Sequence, residues 1–208
     1  MNIDFKTVCG ITASLIGTGC FVPYIRDIFK KKTTPHIYTW IIWTILQVTG
    51  VVAMFKNGAG IGVLALATGS VLCAYTAILC LKYGTKNINS FDLFCLLGAL
   101  ASIVVYILMK DPLLSIFLIS AIDFVGFLPT LRKSYLEPYS ETITMFAFFS
   151  ISGLFTMLAL KEYTIVTSLY PLTLIGINII ATVVLYIRRK QSPNPTFPIR
   201  EGEKNTLS

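Results

Sequence analysis

The chain has few charged residues, one histidine and no recognisable catalytic motif. Only 13% of its 208 residues are charged, whereas a soluble domain carries about 25%. Its five cysteines lie in apolar runs without metal-ligand spacing, and it has no nucleophile elbow, zinc-protease motif, P-loop or paired intramembrane carboxylates. We therefore expect a protein that is not an enzyme, with no catalytic residues, no metal and no cofactor.

The chain instead contains long apolar runs, and 55% of its residues are hydrophobic. The runs are about 20 residues long, which suits membrane-spanning helices and not the shorter strands of a barrel. The sequence predicts an all-α membrane protein with seven transmembrane helices, at about 7–29, 37–55, 60–82, 91–109, 112–133, 140–160 and 165–187.

The basic residues are distributed unevenly between the loops. All but four of the 17 Lys and Arg residues fall on one predicted side, and those four are Lys6, Lys56, Lys110 and Lys161. The rich side is cytoplasmic by the positive-inside rule, so the N-terminus is outside. This rule explains the net charge of +7 without a nucleic-acid partner. Residues 190–208 are polar and proline-rich, and we expect a disordered cytoplasmic tail.

One sequence pattern occurs twice and predicts an internal repeat. Phe-x-Pro-x-x-Arg followed by a polar loop and a second proline stands at 21–26 and again at 127–132. The helix that carries the motif runs from the outside to the inside in both copies, so an odd number of helices must join the two repeats. We predict a first three-helix repeat at 1–82, a linker helix at 83–109 and a second three-helix repeat at 110–189, a 3+1+3 arrangement.

These features resemble the PQ-loop superfamily, which includes the SWEET sugar facilitators and the KDEL receptor. The segments PYIRDIFKKKTTPHIYTWIIW and SLYP look closer still to an uncharacterised group of bacterial membrane proteins. The resemblance implies a bacterial inner-membrane protein with two parallel repeats. The glutamine that gives the PQ loop its name is absent, since Tyr24 follows Pro23 and Thr130 follows Pro129.

Asp123 is the sharpest single signal for a functional site. It lies midway along the fifth predicted helix, in LISAIDFVGF. A carboxylate at that depth is costly unless it is paired or protonated. It is either a proton, cation or hydroxyl-binding site, or a polar clamp between helices.

Asn178 is the second intramembrane candidate, in the middle of the last predicted helix. The resemblance implies a binding role, because SWEETs place a substrate-binding asparagine on helices three and seven. The matching position on helix three falls near Val71 or Cys73, so a symmetric asparagine pair is excluded.

Aromatic and amide side chains complete the predicted solute site. Gln47 follows Trp43 by four residues and shares its helix face, a pairing suited to a sugar ring or to a helix interface. Trp40 is expected in the interfacial aromatic belt. Tyr75 and Tyr170 are further substrate-binding candidates.

The duplicated motif also supplies the predicted gate. Proline inside a helix removes a backbone hydrogen bond and kinks the helix, and an arginine lies one turn further on in each copy. The arginines either pair with acidic residues across the cytoplasmic mouth or only set the topology. The predicted gating residues are Pro23, Pro129, Arg26, Asp27, Arg132 and Glu137.

Two functions remain open from the sequence. The first is a transporter or facilitator of a small polar solute, sugar-like or another metabolite, by alternating access between the repeats. The second is a non-transporting receptor or scaffold whose basic loop at 30–32 binds a cytoplasmic partner or anionic headgroups. The expected partners are the solute and the lipid bilayer, and homo-oligomerisation is left open.

Overall fold

A computed structural model describes residues 4–30, 35, 37–84, 90–136, 138–139 and 143–192. Within these ranges the chain is helical and contains no β-strand, which confirms the all-α class. The predicted tail falls largely outside the described residues.

The helices follow the apolar runs of the sequence. They are α1 (Phe5–Phe29), α2 (Ile37–Lys56), α3 (Leu64–Tyr83), α4 (Ser90–Met109), α5 (Pro112–Leu136), α6 (Ile143–Ala159) and α7 (Ile165–Gln191). A short 3-10 helix, Gly60–Val63, leads directly into α3. Four helical segments in the described chain are long and apolar enough to cross a bilayer, namely α1, α2, α7 and Gly60–Tyr83.

The surface of the bundle is apolar and its interior contains polar side chains. Leu15, Leu81 and Leu108 are 69%, 73% and 74% exposed. In contrast, Thr76 and Thr167 are fully buried. A soluble protein avoids such an apolar surface, whereas lipid tails solvate it well. The chain is therefore membrane-embedded, as its composition predicts.

Buried hydroxyl groups are satisfied mainly within their own helices. Thr49, Thr76 and Ser150 each donate to the carbonyl oxygen four residues earlier, at 2.8, 2.8 and 3.0 Å. These back-bonds allow Ser and Thr to lie in an apolar core without an unpaired polar atom.

Sequence signals set several of the helix ends. The Asp4 carboxylate accepts from the Thr7 amide at the start of α1, and Asp111 accepts from the Leu114 amide at the start of α5. Thr164 begins α7 with a capping box in which its partner is Thr167. Each cap satisfies amides that have no partner inside the helix.

The helix α4 packs against α2 and α5, and we call α1–α3 the first helix group and α5–α7 the second. In the first group the backbone of α3 lies close to those of α1 and α2, whereas within the described ranges α1 and α2 meet through side chains such as Phe21 and Trp40. In the second group the backbone of α7 lies close to those of α5 and α6, which over the described residues meet through the side chains of Phe127 and Phe146. The groups meet where α1 packs on α6 and α2 packs on α5.

Backbone hydrogen bonds close one end of the bundle. The amides of Lys161 and Glu162 donate to the carbonyls of Ala59 and Gly58, at 3.0 and 3.1 Å. Lys6 adds its ammonium group, which donates to the Leu160 carbonyl at 2.6 Å. We call this contact between the α2–α3 and α6–α7 connections the loop clasp. It ties the two helix groups together.

The opposite end is held by arginines of α7. Arg188 Nε donates to the Tyr135 carbonyl at 2.9 Å, and Arg189 Nε donates to the Pro138 carbonyl at 2.8 Å. The guanidinium of Arg188 also lies 4.3 Å from the centroid of the Tyr135 ring. These contacts fix the end of α7 to the connection between α5 and α6.

Gly62 allows the loop clasp to form. A Cβ atom at this position would lie 3.0 Å from Leu160 Cα and 3.1 Å from its amide nitrogen, and backbone yields little. We predict that Gly62→Ala destabilises the protein by about 1–3 kcal/mol through overpacking. Thermal unfolding in detergent measures the change.

Gly176→Ala is the matched control, because a Cβ atom there meets nothing within 4 Å. It replaces glycine inside α7 and should leave the melting temperature unchanged or raise it. Equal melting temperatures for Gly62→Ala and the wild type would contradict the tight packing of the clasp.

Candidate functional site

A central cavity of about 140 Å³ lies between the two helix groups. Side chains of α1, α2, α3, α5, α6 and α7 line it, so both groups contribute. Most of the wall is aromatic or aliphatic. The polar side chains in the lining are Gln47, Asp123, Ser152, Thr156 and Asn178.

Asp123 carries the only carboxyl group among the described residues that line the cavity. Its side chain is 3% exposed, and no Lys or Arg belongs to that lining. The indole N–H of Trp43 and the hydroxyl of Tyr170 interact with the carboxyl group. The Tyr170 hydroxyl nevertheless remains outside the geometry of a formed hydrogen bond. The carboxyl group is therefore oriented by neighbours on α2 and α7 and lacks a counter-ion among them.

The two amide side chains direct their nitrogens to protein atoms. Asn178 Nδ2 donates to the Leu174 carbonyl at 2.7 Å, and Gln47 Nε2 donates to Cys73 Sγ at 3.2 Å. Gly69 provides the space for Gln47, since a Cβ atom there would be 2.7 Å from Gln47 Oε1.

Aromatic rings form two linked parts of the wall. Trp40 and Trp43 meet edge to face with centroids 5.2 Å apart, and Phe21 packs on Trp40 at 5.9 Å. On the other helix group, Phe127 and Phe146 meet edge to face at 5.8 Å. Such pairs are stiff and stabilise the cavity beyond their buried area.

Four of the predicted substrate-binding residues meet in this one cavity: Asp123, Asn178, Trp43 and Gln47. Tyr170 does not line it but lies beside Asp123, completely buried. Its ring packs against Gly50, where a Cβ atom would be 2.8 Å from Tyr170 Cδ1. Tyr75 lies elsewhere, because its side chain faces outward from α3 and is 42% exposed.

The predicted gating residues are described only in part. Pro23 lies inside α1 and is exposed, so the Gly19 carbonyl lacks its helical donor. Arg26 is exposed, and Asp27 borders a cleft between α1 and α6.

In the second copy of the motif, Glu137 and the side chains of Pro129 and Arg132 lie outside the described residues.

Some lining residues were not predicted. Trp40 is not an interfacial belt residue, because it is 3% exposed and lines the cavity. Its spacing to Trp43 and Gln47, three and then four residues, places all three on one helix face and could have shown this. Ser152 and Thr156 gave no comparable signal, because hydroxyls are common in membrane helices.

Comparisons of the chain with protein families, with curated proteins and with solved structures find no significant match.

Tyr170→Phe tests whether the buried hydroxyl contributes to stability. Because this hydroxyl has no formed hydrogen bond, its removal should change the free energy of unfolding by less than about 0.5 kcal/mol. Ser152→Ala is the comparison, since Ser152 Oγ donates to the Ala13 carbonyl at 2.7 Å. That variant should lose about 1 kcal/mol. Thermal unfolding of both variants checks this, and an equal loss would show that Tyr170 bonds to Asp123.

Proposed function

We propose that the chain is a multi-pass transporter or facilitator of a small polar solute. The observation that carries the proposal is the cavity with polar lining at the meeting of two helix groups. A solute site between two halves of a bundle is what alternating access requires. In this proposal the protein is not an enzyme and its partners are the solute and the bilayer.

The packing order supports the proposed 3+1+3 arrangement. In each group the third helix contacts the other two, giving the order α1–α3–α2 and α5–α7–α6. In two copies of one unit, α5 corresponds to α1 and α6 corresponds to α2. The α1–α6 contact then corresponds to the α5–α2 contact, and both contacts are present. This relation is expected for two copies of one unit and supports the resemblance to the PQ-loop superfamily.

Access would alternate by rocking one helix group against the other. The loop clasp closes the end that carries Lys6 and Lys161, which is the outer end under the positive-inside rule. Outward access requires the clasp to separate. Pro23, and Pro129 as its counterpart in the sequence, would supply bending points near the cytoplasmic end, because proline removes a helical hydrogen bond. The proposed setting is a bacterial inner membrane with the C-terminus inside.

A non-transporting receptor or scaffold on the same fold is the competing function. A scaffold needs no solvent path to its centre, whereas a transporter exposes the cavity to each side in turn. Accessibility of the cavity from both membrane faces therefore separates the two functions.

The native Cys73 provides the test, because it lines the cavity and is 1% exposed. A variant keeping Cys73, with the other four cysteines replaced by serine or alanine, is expressed in right-side-out and inverted membrane vesicles. A transporter should allow membrane-impermeant methanethiosulfonate reagents to modify Cys73 from both faces, as measured by mass spectrometry.

A variant keeping only Cys9 is the matched control. Cys9 is equally buried, at 2% exposure, but is not part of the cavity lining, so it should stay unmodified. Modification of Cys73 from one face only, or from neither, would contradict alternating access and favour the scaffold.

A further inference from the structure

We infer that the central cavity selects a protonated primary amine with an apolar body. The inference rests on the proposed function, since it names the class of solute that this same cavity would carry. Three independent features of the wall lead to it: its charge, the direction of its hydrogen-bonding groups and its aromatic content.

Charge is the first feature. Asp123 is the one ionisable carboxyl in the described lining, and that lining includes no Lys or Arg. A buried carboxylate without a counter-ion is costly, and a bound cation would remove that cost. An anionic solute would meet repulsion from the same group.

Hydrogen-bond direction is the second feature. One N–H of Asn178 Nδ2 is engaged by the Leu174 carbonyl, which can only accept, so the Asn178 oxygen and the second N–H remain available. Gln47 likewise donates one of its two N–H groups to Cys73 Sγ, and Ser152 donates its only hydroxyl proton to the Ala13 carbonyl. Together with the carboxyl oxygens of Asp123, these groups give the cavity more acceptor oxygens than free amide N–H groups.

An ammonium group matches this set because it carries three N–H donors and no acceptor. A sugar hydroxyl both donates and accepts, but it is neutral and would leave the charge of Asp123 without a counter-ion. The polarity of the cavity therefore favours a donor-only head group over a polyhydroxylated solute.

The aromatic wall is the third feature, and it indicates the chemistry of the part of the ligand beyond the ammonium group. Trp40, Trp43, Phe21, Phe127 and Phe146 surround the space next to the acceptors. Aromatic faces attract cations, and they bury apolar groups. A small alkyl or aryl body attached to the ammonium group fits this wall.

The chain contains its own reporter for a binding test. Its two tryptophans, Trp40 and Trp43, both line the cavity, so tryptophan fluorescence reports on this site alone. Purified protein at neutral pH is titrated with 3-methylbutylamine and with 3-methylbutan-1-ol. The two probes share one carbon skeleton, but only the amine is cationic, since alkylammonium groups lose their proton near pH 10.

The amine should produce a saturable fluorescence change at a concentration at least tenfold below that of the alcohol. Asp123→Asn should remove most of this preference while retaining the shape of the side chain. Asp111→Asn is the control, because Asp111 caps α5 outside the cavity and asparagine caps equally well. It should bind the amine as the wild type does.

Equal binding of amine and alcohol to the wild type would overturn the inference, as would the absence of a saturable response to the amine. These comparisons need no variant, so a folding defect in Asp123→Asn cannot obscure them. Labelling of Cys73 from both faces together with no amine preference would leave a transporter for a different solute. The two proposals therefore fail separately.

Discussion

A carboxyl group inside an apolar bundle must be oriented by its neighbours, and the centre of this molecule is arranged around that requirement at Asp123. Trp43 reaches it from α2 and Tyr170 from α7. Tyr170 can take its place only because Gly50 leaves room for the ring. One charge-bearing side chain on α5 thus restricts which residues α2 and α7 carry at that depth.

Close packing between helices also stabilises the folded bundle. Lipid tails are as apolar as leucine, so burial of apolar surface gains little between membrane helices and packing at short range matters more. Gly62 approaches the backbone of Leu160, and a Cβ atom on Gly153 would overlap Ile175 Cγ1. Hydroxyls that bond within their own helix add polarity without preventing this contact.

The sequence predicts most of the helices and part of the site, for physical reasons that differ by feature. Long apolar runs locate the helices because length and hydropathy are local properties. Asp123 and Asn178 stand out because polar groups are rare at membrane depth. The outward direction of Tyr75 and the burial of Trp40 depend on which helix is the neighbour, and α1 and α6 become neighbours across more than a hundred residues. The direction in which Gln47 and Asn178 point their amide groups depends on rotamers, which no residue pattern specifies.

The loop clasp has a consequence for how this chain can diverge. Its bonds join main-chain amides to main-chain carbonyls, so replacement of most side chains there leaves them intact. Gly58 and Gly60 are exceptions, since their φ angles of +87° and +60° favour glycine. A single inserted residue, however, would move the donors of one connection out of step with the acceptors of the other. We therefore expect insertions and deletions in these connections to be selected against more strongly than side-chain replacements.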